Sequence, residues 1–355
     1  MIRNLIRGQG VNPGRGGRRR AAGALLYDRT VEYRTLGGTG VTVSRIALGC
    51  GGFGGIGSAP EFFGKGESEE EAFGIMDAAC EMGVTLFDTA DAYGGGRSEA
   101  AIGKWLRAKG RSARARAVLT TKVFHSVAGD PRDRGLSRDR IVRQIRGSQE
   151  RLGVERIDLY MIHEPDPRTP LEETLGAFDA LVRSGDVGAV GACNVDASIL
   201  QRGLGISDSC GYARFGWVQN SYSLLDREAE NDLLPLCARE RLGFTPFSPL
   251  MGGWLTGKYA RSSAPAAGSR MTLRPEPYRR FDRQTTYRGL ECFAGAARDR
   301  GVDLPTLAIA WLLAKPEVDA VIVGPRRPEH LEPARRALAL ELSESERAEI
   351  AALFD

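Results

Sequence analysis

The chain has 355 residues, of which 42% are hydrophobic and 26% are charged. This composition is typical of a globular protein with a large apolar core, and the length fits a single α/β barrel. No run of about 18 uncharged apolar residues occurs, which argues against a membrane-spanning helix. The six cysteines and three histidines form no metal-ligating pattern. We therefore expect reduced thiols, no metal site and a cytoplasmic location.

The net charge of +4 is unevenly distributed. Residues 1–27 contain several arginines and many glycines but no acidic residue, so the rest of the chain is close to neutral. A near-neutral body argues against a nucleic-acid-binding surface. The apolar stretch 21–26 is too short for a signal sequence. We expect residues 1–31 to form a disordered extension and residues 32–355 to form one barrel domain.

Short apolar runs alternate with helical patterns from Glu32 onward, which is typical of βαβ units and a parallel sheet. Eight runs are predicted strands: 46–48, 84–88, 117–123, 157–162, 189–193, 217–220, 243–247 and 320–323. Eight such units in one domain favour a (β/α)₈ TIM barrel over a doubly wound sheet. Residues 31–43, with glycines at turn positions, predict a hairpin before the barrel.

Helical periodicity and capping residues locate the helices. Ser68 and Glu71 form a capping box at the start of the first helix, and Gly83 ends it. The other predicted helices cover 99–108, 137–152, 170–184, 196–203, 229–241, 285–300, 305–315, 328–338 and 343–353. Residues 258–283 predict a long loop after the seventh strand, and long loops of this kind are often functional.

Four residues near the ends of three neighbouring predicted strands are candidates for catalysis. In a barrel, catalytic groups lie at the carboxyl ends of the strands and in the loops that follow. Asp88 ends the second strand and Tyr93 follows it, Lys122 lies near the end of the third, and His163 follows the fourth. Any one of them alone is more often a structural ion pair or a packing residue. Together they have a coherent chemical use.

That use is the reduction of a carbonyl group. The carbonyl oxygen must receive a proton, and a tyrosine with a pKa of about 10 is a poor donor at neutral pH. The ammonium of Lys122 would lower the pKa of Tyr93, and the carboxylate of Asp88 would hold that ammonium in place. The imidazole of His163 would hydrogen-bond the substrate oxygen and orient it.

With these motifs the chain resembles the aldo-keto reductase superfamily, from about Tyr33 to about Leu338. Residues 87–99 are similar to the segment of that family that carries both the aspartate and the tyrosine, and 121–123 and 157–166 are similar to its lysine and histidine motifs. The resemblance implies a barrel that reduces aldehydes or ketones to alcohols, reversibly, by hydride transfer from a nicotinamide cofactor. It is nearest to the bacterial branch that acts on sugars, pyridoxal-like aldehydes and other small polar carbonyls.

The resemblance also implies a cofactor cleft. Its residues here would be Gly49, Cys193, Asn194, Gln219, Phe247, Ser248, Leu250, Gly253, Lys258, Gly324, Arg326 and His330. The family usually has serine where Cys193 stands and commonly has tyrosine at Phe247, whose ring would stack on the nicotinamide. The guanidinium groups of Arg326 and Arg327 would clamp a 2′-phosphate, which favours NADP(H), with NAD as the alternative.

Two other functions stay open at this point. One is a regulatory subunit that binds the cofactor but hardly turns over, similar to potassium-channel β-subunits. The other is an isomerase or aldolase that uses Lys122 as a Schiff base. The expected partner is a small-molecule carbonyl or alcohol, with no nucleic acid and no membrane. Four aromatic residues are candidates to line the substrate pocket: Phe53, Phe62, Phe63 and Trp254. The physiological substrate and the oligomeric state are left open.

Overall fold

A computed structural model describes residues 31–261 and 263–355. A short antiparallel pair, β1 (Tyr33–Thr35) and β2 (Thr42–Ser44), comes first, as predicted. The barrel strands are β3 (Ile46–Gly49), β4 (Leu86–Asp88), β5 (Val118–Val123), β6 (Ile157–Ile162), β7 (Val187–Cys193), β8 (Phe215–Gln219), β9 (Gly243–Phe244) and β10 (Val321–Val323). The extension predicted for residues 1–31 lies outside the described residues, apart from Val31, which is buried.

The eight strands form one parallel sheet in the order β10-β3-β4-β5-β6-β7-β8-β9. Two backbone hydrogen bonds connect its edges: Asp319 N donates to Phe244 O (2.9 Å), and Ile322 N donates to Pro246 O (3.0 Å). The sheet therefore curls into a barrel, and the predicted fold is confirmed. Closure matters for function because the carboxyl ends of all eight strands then surround one opening.

Helices cover the outside of the barrel. They are α1 (Glu69–Met82), α2 (Arg97–Lys109), α3 (Arg111–Arg116), α4 (Arg138–Leu152), α5 (Leu171–Arg183), α6 (Ala197–Cys210), α7 (Leu233–Glu240), α8 (Arg270–Leu273), α9 (Gln284–Asp299), α10 (Leu304–Leu313), α11 (Glu332–Ala337) and α12 (Glu344–Ala352). The predicted capping box of Ser68 and Glu71 is present, and Gly83 caps the other end of α1. Within the described chain, no helix has the length and apolar character needed to cross a membrane.

Several boundaries differ from the predictions for identifiable reasons. Helix α6 continues to Cys210, because Gly203 is a packing residue next to the Phe215 ring and not a helix end. Regular strand β9 ends at Phe244, since Pro246 has no N–H to donate, although the chain stays beside β8. The predicted loop 258–283 contains the short helix α8. Helix α3 was missed because its six residues are too short to show a period.

The apolar core has two parts, on the two sides of the sheet. A smaller cluster contains inward-facing strand residues such as Leu86, Met161 and Trp217, together with Leu36 and Val43 of the hairpin region. The larger cluster lies between the strands and the helices. The hairpin region thus contributes to the same apolar cluster as the barrel interior, and the opposite end of the barrel is left for polar groups.

Helices α2 and α4 pack closely enough to give a test of the fold. A Cβ atom at Gly103 of α2 would lie 2.1 Å from the backbone oxygen of Arg151. Gly103→Ala must therefore push the helices apart, and we expect it to lower the free energy of unfolding by about 1–3 kcal/mol. Gly205→Ala is the matched control: this helical glycine is exposed with open space around it. It should raise the free energy of unfolding by about 0.5–1 kcal/mol. Urea denaturation measures both, and effects of the same sign would contradict the packing.

Candidate active site

Strand geometry accounts for the polar character of one barrel rim. Side chains alternate along a strand, so Asp88 faces the same way as Leu86, and Gln219 faces the same way as Trp217. Leu86 and Trp217 belong to the apolar barrel interior. Asp88 and Gln219 are the last residues of β4 and β8, at the carboxyl rim. Lys122, the second-last residue of β5, is also fully buried.

The Lys122 ammonium is held by three oxygen atoms. Its Nζ donates to both carboxylate oxygens of Asp88 (2.8 and 2.9 Å) and to the carbonyl oxygen of Thr89 (2.9 Å). An ammonium has three N–H donors, so these bonds satisfy it. Burial by itself lowers the pKa of Lys122, but Asp88 and other neighbouring groups outweigh burial and raise it. Lys122 is therefore a fixed positive charge at neutral pH.

Tyr93 lies in a short 3₁₀ turn directly after β4, and its hydroxyl contacts two of the other three candidates. The hydroxyl oxygen is 3.3 Å from Lys122 Nζ and 3.5 Å from Nε2 of His163. Burial raises the pKa of Tyr93 to about 12, although the Lys122 charge acts in the opposite direction. The Lys122 ammonium lowers this pKa, as predicted, but removing the phenolate from water costs more than the ammonium returns, so the net shift is upward. The phenol consequently stays protonated at neutral pH.

His163 provides a neutral imidazole at the same point. Burial lowers its pKa well below the ordinary value, and the Lys122 charge and the neighbouring His125 act in the same direction. Its ring packs edge-on against the Tyr93 ring, with 5.4 Å between centroids. A neutral imidazole carries one N–H and one acceptor nitrogen. It can therefore hydrogen-bond an oxygen atom placed beside the tyrosine hydroxyl.

The loop that carries Tyr93 is fastened to the barrel on both sides. The hydroxyl groups of Thr89 and Ser98 are 2.8 Å apart, which connects the start of the loop to the start of α2. The buried Glu99 carboxylate accepts hydrogen bonds from Thr121 (2.5 Å) and from Arg151 (2.7 Å). These buried contacts fix the tyrosine relative to β5 and α4, so its hydroxyl position does not depend on loop conformation alone.

The structure brings the predicted residues of β7 and β8 to the same centre. Gln219 Nε2 donates to Asp88 Oδ1 (2.8 Å), so this amide helps to hold the carboxylate. Asn194 Nδ2 donates to the backbone oxygen of His163 (2.9 Å), with the Asn194 backbone in the left-handed region (φ 55°). The Cys193 thiol is buried 3.8 Å from Gln219 Oε1. The side-chain amides of Asn194 and Gln219 thus connect residues of the site to one another by hydrogen bonds.

The segment after β9 forms a turn in which several residues have a positive φ. Phe247, Ser248 and Leu250 are half-buried there, and Ser248 has a positive φ of 58°. Gly253 has a φ of 97°, and its N–H donates to Leu250 O (2.9 Å). The Lys258 side chain crosses Gly253 so closely that a Cβ there would lie 2.2 Å from Lys258 Cε. A lysine above such a turn favours an anion.

The remaining predicted cofactor residues lie at the ends of β3 and β10 and just beyond. A Cβ at Gly49 would lie 2.9 Å from Ile322, and one at Gly324 would lie 3.9 Å from Gly49 O, so the two glycines are neighbours. Arg326 donates from Nε to Glu67 Oε1 (3.1 Å), and its backbone N–H donates to Nδ1 of His330 (3.3 Å). Arg326 thus follows Gly324 by two residues and is anchored through Glu67 to the loop before α1.

Two polar residues at the rim were missed by the sequence analysis. His125 Nε2 lies 3.2 Å from Glu164 Oε1, and the His125 ring packs edge-on against His163 with centroids 4.7 Å apart. His125 follows β5 by two residues, and Glu164 directly follows His163. Their position after strand ends was the available signal, because the same argument identified the other site residues.

The aromatic residues expected at the substrate pocket divide into two groups. Phe53 and Trp254 are almost completely buried in the core. Phe62 and Phe63, in the loop between β3 and α1, are half-buried, and Phe63 lies beside Gly95 next to Tyr93. Within residues 31–261 and 263–355, no group of three or more histidine, cysteine or acidic side chains could hold a metal ion.

Sequence comparison with known proteins identifies the family of this chain. The sequence model of the Aldo/keto reductase family matches residues 45–355. The chain belongs to this family. It is 37% identical to a protein named uncharacterized oxidoreductase YrpG of Bacillus subtilis (strain 168), over 88% of this chain and 92% of the relative. Family membership supports an oxidoreductase.

Two further relatives of this aldo/keto reductase family member have more specific names. A probable voltage-gated potassium channel subunit beta of Oryza sativa subsp. japonica is 34% identical, over 83% of this chain and 87% of the relative. An NADH-specific methylglyoxal reductase of Escherichia coli (strain K12) is 30% identical, over 88% of this chain and 94% of the relative. The family therefore includes relatives with different described roles.

The buried pair of Lys122 and Asp88 gives a second prediction. Lys122→Met leaves a buried carboxylate without its counter-ion, and we expect the free energy of unfolding to fall by about 3 kcal/mol. Adding Asp88→Asn removes that charge, so the double variant should lose less than the sum of the two single losses. A double-mutant cycle in urea measures this coupling. Additive losses would mean that the pair contributes no interaction energy.

Proposed function

We propose that this family member reduces aldehydes and ketones to alcohols, reversibly, with a nicotinamide cofactor and with Tyr93 as the general acid. One observation carries the proposal: the Tyr93 hydroxyl lies between a fixed ammonium and a neutral imidazole. An ammonium is needed to stabilise a phenolate, and an imidazole is needed to hydrogen-bond a carbonyl oxygen. Neither requirement would be met by a tyrosine packed only for stability.

The proton transfer follows from the properties of these side chains. A substrate oxygen beside Tyr93 and His163 would accept a hydrogen bond from each. As negative charge develops on that oxygen, the Tyr93 proton moves to it, and the phenolate left behind is stabilised by Lys122 at 3.3 Å. Asp88 keeps the ammonium in position throughout. Burial keeps the phenol protonated before the reaction but also makes it a weaker acid, so the transfer depends on the stabilisation of the phenolate by Lys122.

The residues present fit a dinucleotide. The fit rests on the turn at Ser248 and Gly253 with Lys258 above it, since burial and neighbouring arginines lower the pKa of Lys258, as expected in a pocket of positive potential. We infer that this turn holds the pyrophosphate, that Asn194 and Gln219 face the carboxamide, and that Phe247 supports the ring. A reduced nicotinamide would supply the hydride that the carbonyl carbon receives.

We propose a preference for NADP(H). Arg326 is exposed two residues after Gly324, and a guanidinium group binds phosphate in a bidentate manner. Its Nε donates to Glu67 (3.1 Å) and its Nη1 donates to the backbone oxygen of Gly268 (3.2 Å). We infer that the remaining terminal nitrogen, Nη2, would face a 2′-phosphate. The name of the Escherichia coli relative specifies NADH, so NAD(H) is the alternative that direct comparison of the two cofactors must test.

The other two functions have less support. A Schiff-base lysine must be a free amine, whereas Lys122 is fixed by Asp88 and its pKa is raised. The regulatory-subunit alternative draws on the name of the rice relative, and measured turnover against a panel of aldehydes separates it from an enzyme. We further propose one catalytic domain, residues 32–355, acting in the cytoplasm on a small-molecule carbonyl or alcohol.

Tyr93→Phe tests the general acid directly. The variant keeps the ring packing but loses the proton, so kcat for aldehyde reduction should fall by about 10²–10⁴-fold. The dissociation constant of NADPH, measured by protein fluorescence quenching, should stay within about 2-fold, because the phenol hydroxyl is not proposed to contact the dinucleotide phosphates. Undiminished reduction by the variant would exclude Tyr93 as the donor.

Arg326→Met tests the cofactor preference. Loss of a charge-assisted contact to the 2′-phosphate should raise the KM for NADPH by about 10-fold and leave the KM for NADH nearly unchanged. Arg202→Met, at an exposed position of α6, is the matched control and should change neither constant. An equal rise for both cofactors in Arg326→Met would show that Arg326 does not read the 2′-phosphate.

A further inference from the structure

The site has a second polar group beside the four residues that the proposed reaction uses. His125, just after β5, and Glu164, just after β6, are joined by a 3.2 Å contact between Nε2 and Oε1. The His125 ring in turn packs against His163, which itself contacts the Tyr93 hydroxyl. A carboxylate is therefore connected to the reaction centre through two consecutive ring contacts.

The carboxylate of Glu164 is partly exposed, and its charge acts on the centre of the site. About a third of each side chain is exposed, 32% for His125 and 36% for Glu164, so the pair lies at the surface of the opening and not in the core. Burial raises the pKa of the Cys193 thiol to about 12, and the Glu164 charge contributes in the same direction. Glu164 thus acts electrostatically on a buried group at the centre of the site.

The pair has the properties of a fixed hydrogen-bond acceptor. Burial lowers the pKa of His125 to about 4, so the imidazole is neutral at neutral pH and can donate its N–H to the carboxylate. Such a bond would use one lone pair of Glu164 and would restrain its rotation. A carboxylate can accept about four hydrogen bonds, so acceptor capacity is left for a ligand.

We propose that Glu164, positioned by His125, accepts a hydrogen bond from a hydroxyl group next to the reacting carbonyl, and so selects 2-hydroxy aldehydes and ketones as substrates. This inference rests on the proposed carbonyl reduction. The carbonyl oxygen would lie at Tyr93 and His163, and a hydroxyl on the adjacent carbon would lie on the Glu164 side of His163. A site built around such an acceptor discriminates against the analogue without the hydroxyl, because a bound substrate shields the half-exposed acceptor from water and then leaves it unpaired.

Two aldehydes that differ by a single hydroxyl test the inference: 2-hydroxypropanal and propanal. The full-length protein is assayed with NADPH and with NADH, and the ratio of the two kcat/KM values is the readout. This ratio should exceed about 10 in the natural protein and fall by about 10-fold in Glu164→Met, with propanal reduction unchanged. Glu164→Gln, which keeps a weaker neutral acceptor, should give an intermediate ratio.

Two further variants separate positioning from packing. His125→Phe keeps a ring against His163 but cannot hold Glu164, so it should lower kcat/KM for 2-hydroxypropanal by a larger factor than kcat/KM for propanal, and thus lower the same ratio. Asp208→Asn is the matched control, because this exposed carboxylate lies near the far end of α6 and pairs only with Arg214 among the described side chains. It should leave both substrates unaffected.

The outcomes are distinguishable. If the natural protein reduces both aldehydes and the ratio is unchanged in Glu164→Met, the inference is wrong while the proposed reduction stands. If the natural protein reduces neither aldehyde but reduces others of the aldehyde panel, the inference is wrong and the proposed reduction stands; if it reduces none of the panel with either cofactor, both fail. Equal losses for both substrates in the Glu164 variants would assign the residue a structural role and also overturn the inference.

Discussion

The site depends on one buried charge pair. Lys122 is completely buried, and its ammonium is stable there only because Asp88 binds it with both carboxylate oxygens. An isolated buried charge would be far too costly, so the two residues must be adjacent in the folded state. The Tyr93 hydroxyl and the Gln219 amide then contact this pair. Its position therefore sets the position of the other polar groups at the centre.

The barrel makes such an arrangement possible at the end of an apolar interior. Alternation of side chains along β4 and β8 places apolar residues inside the barrel and polar ones at the rim. Closure of the sheet between the β9 segment and β10 brings the ends of distant strands to one opening. The hairpin region occupies the same apolar interior from the other end, with Leu36 in that cluster. Stability and chemistry are thereby separated along the barrel axis.

Burial shifts the pKa values of Tyr93 and His163 in opposite directions. It raises the pKa of Tyr93 to about 12, and it lowers the pKa of His163 well below the ordinary value. Both effects keep the side chain in its uncharged form, as a proton donor and a hydrogen-bonding imidazole. At the rim the same effect keeps His125 neutral beside Glu164. One physical cause, removal from water, therefore prepares three different groups.

The sequence by itself determined the fold class, the eight strands and the four central residues, because strand period, helix caps and strand-end positions are local signals. Position after a strand end identifies a rim, but only the tertiary structure decided that His125 and Glu164 meet there. Only the tertiary structure decided that the pKa of Tyr93 rises, since burial depends on the whole packed barrel and not on the residues adjacent in sequence. Gly203 shows the same limit: it resembles a helix end, but packing against Phe215 makes it part of α6.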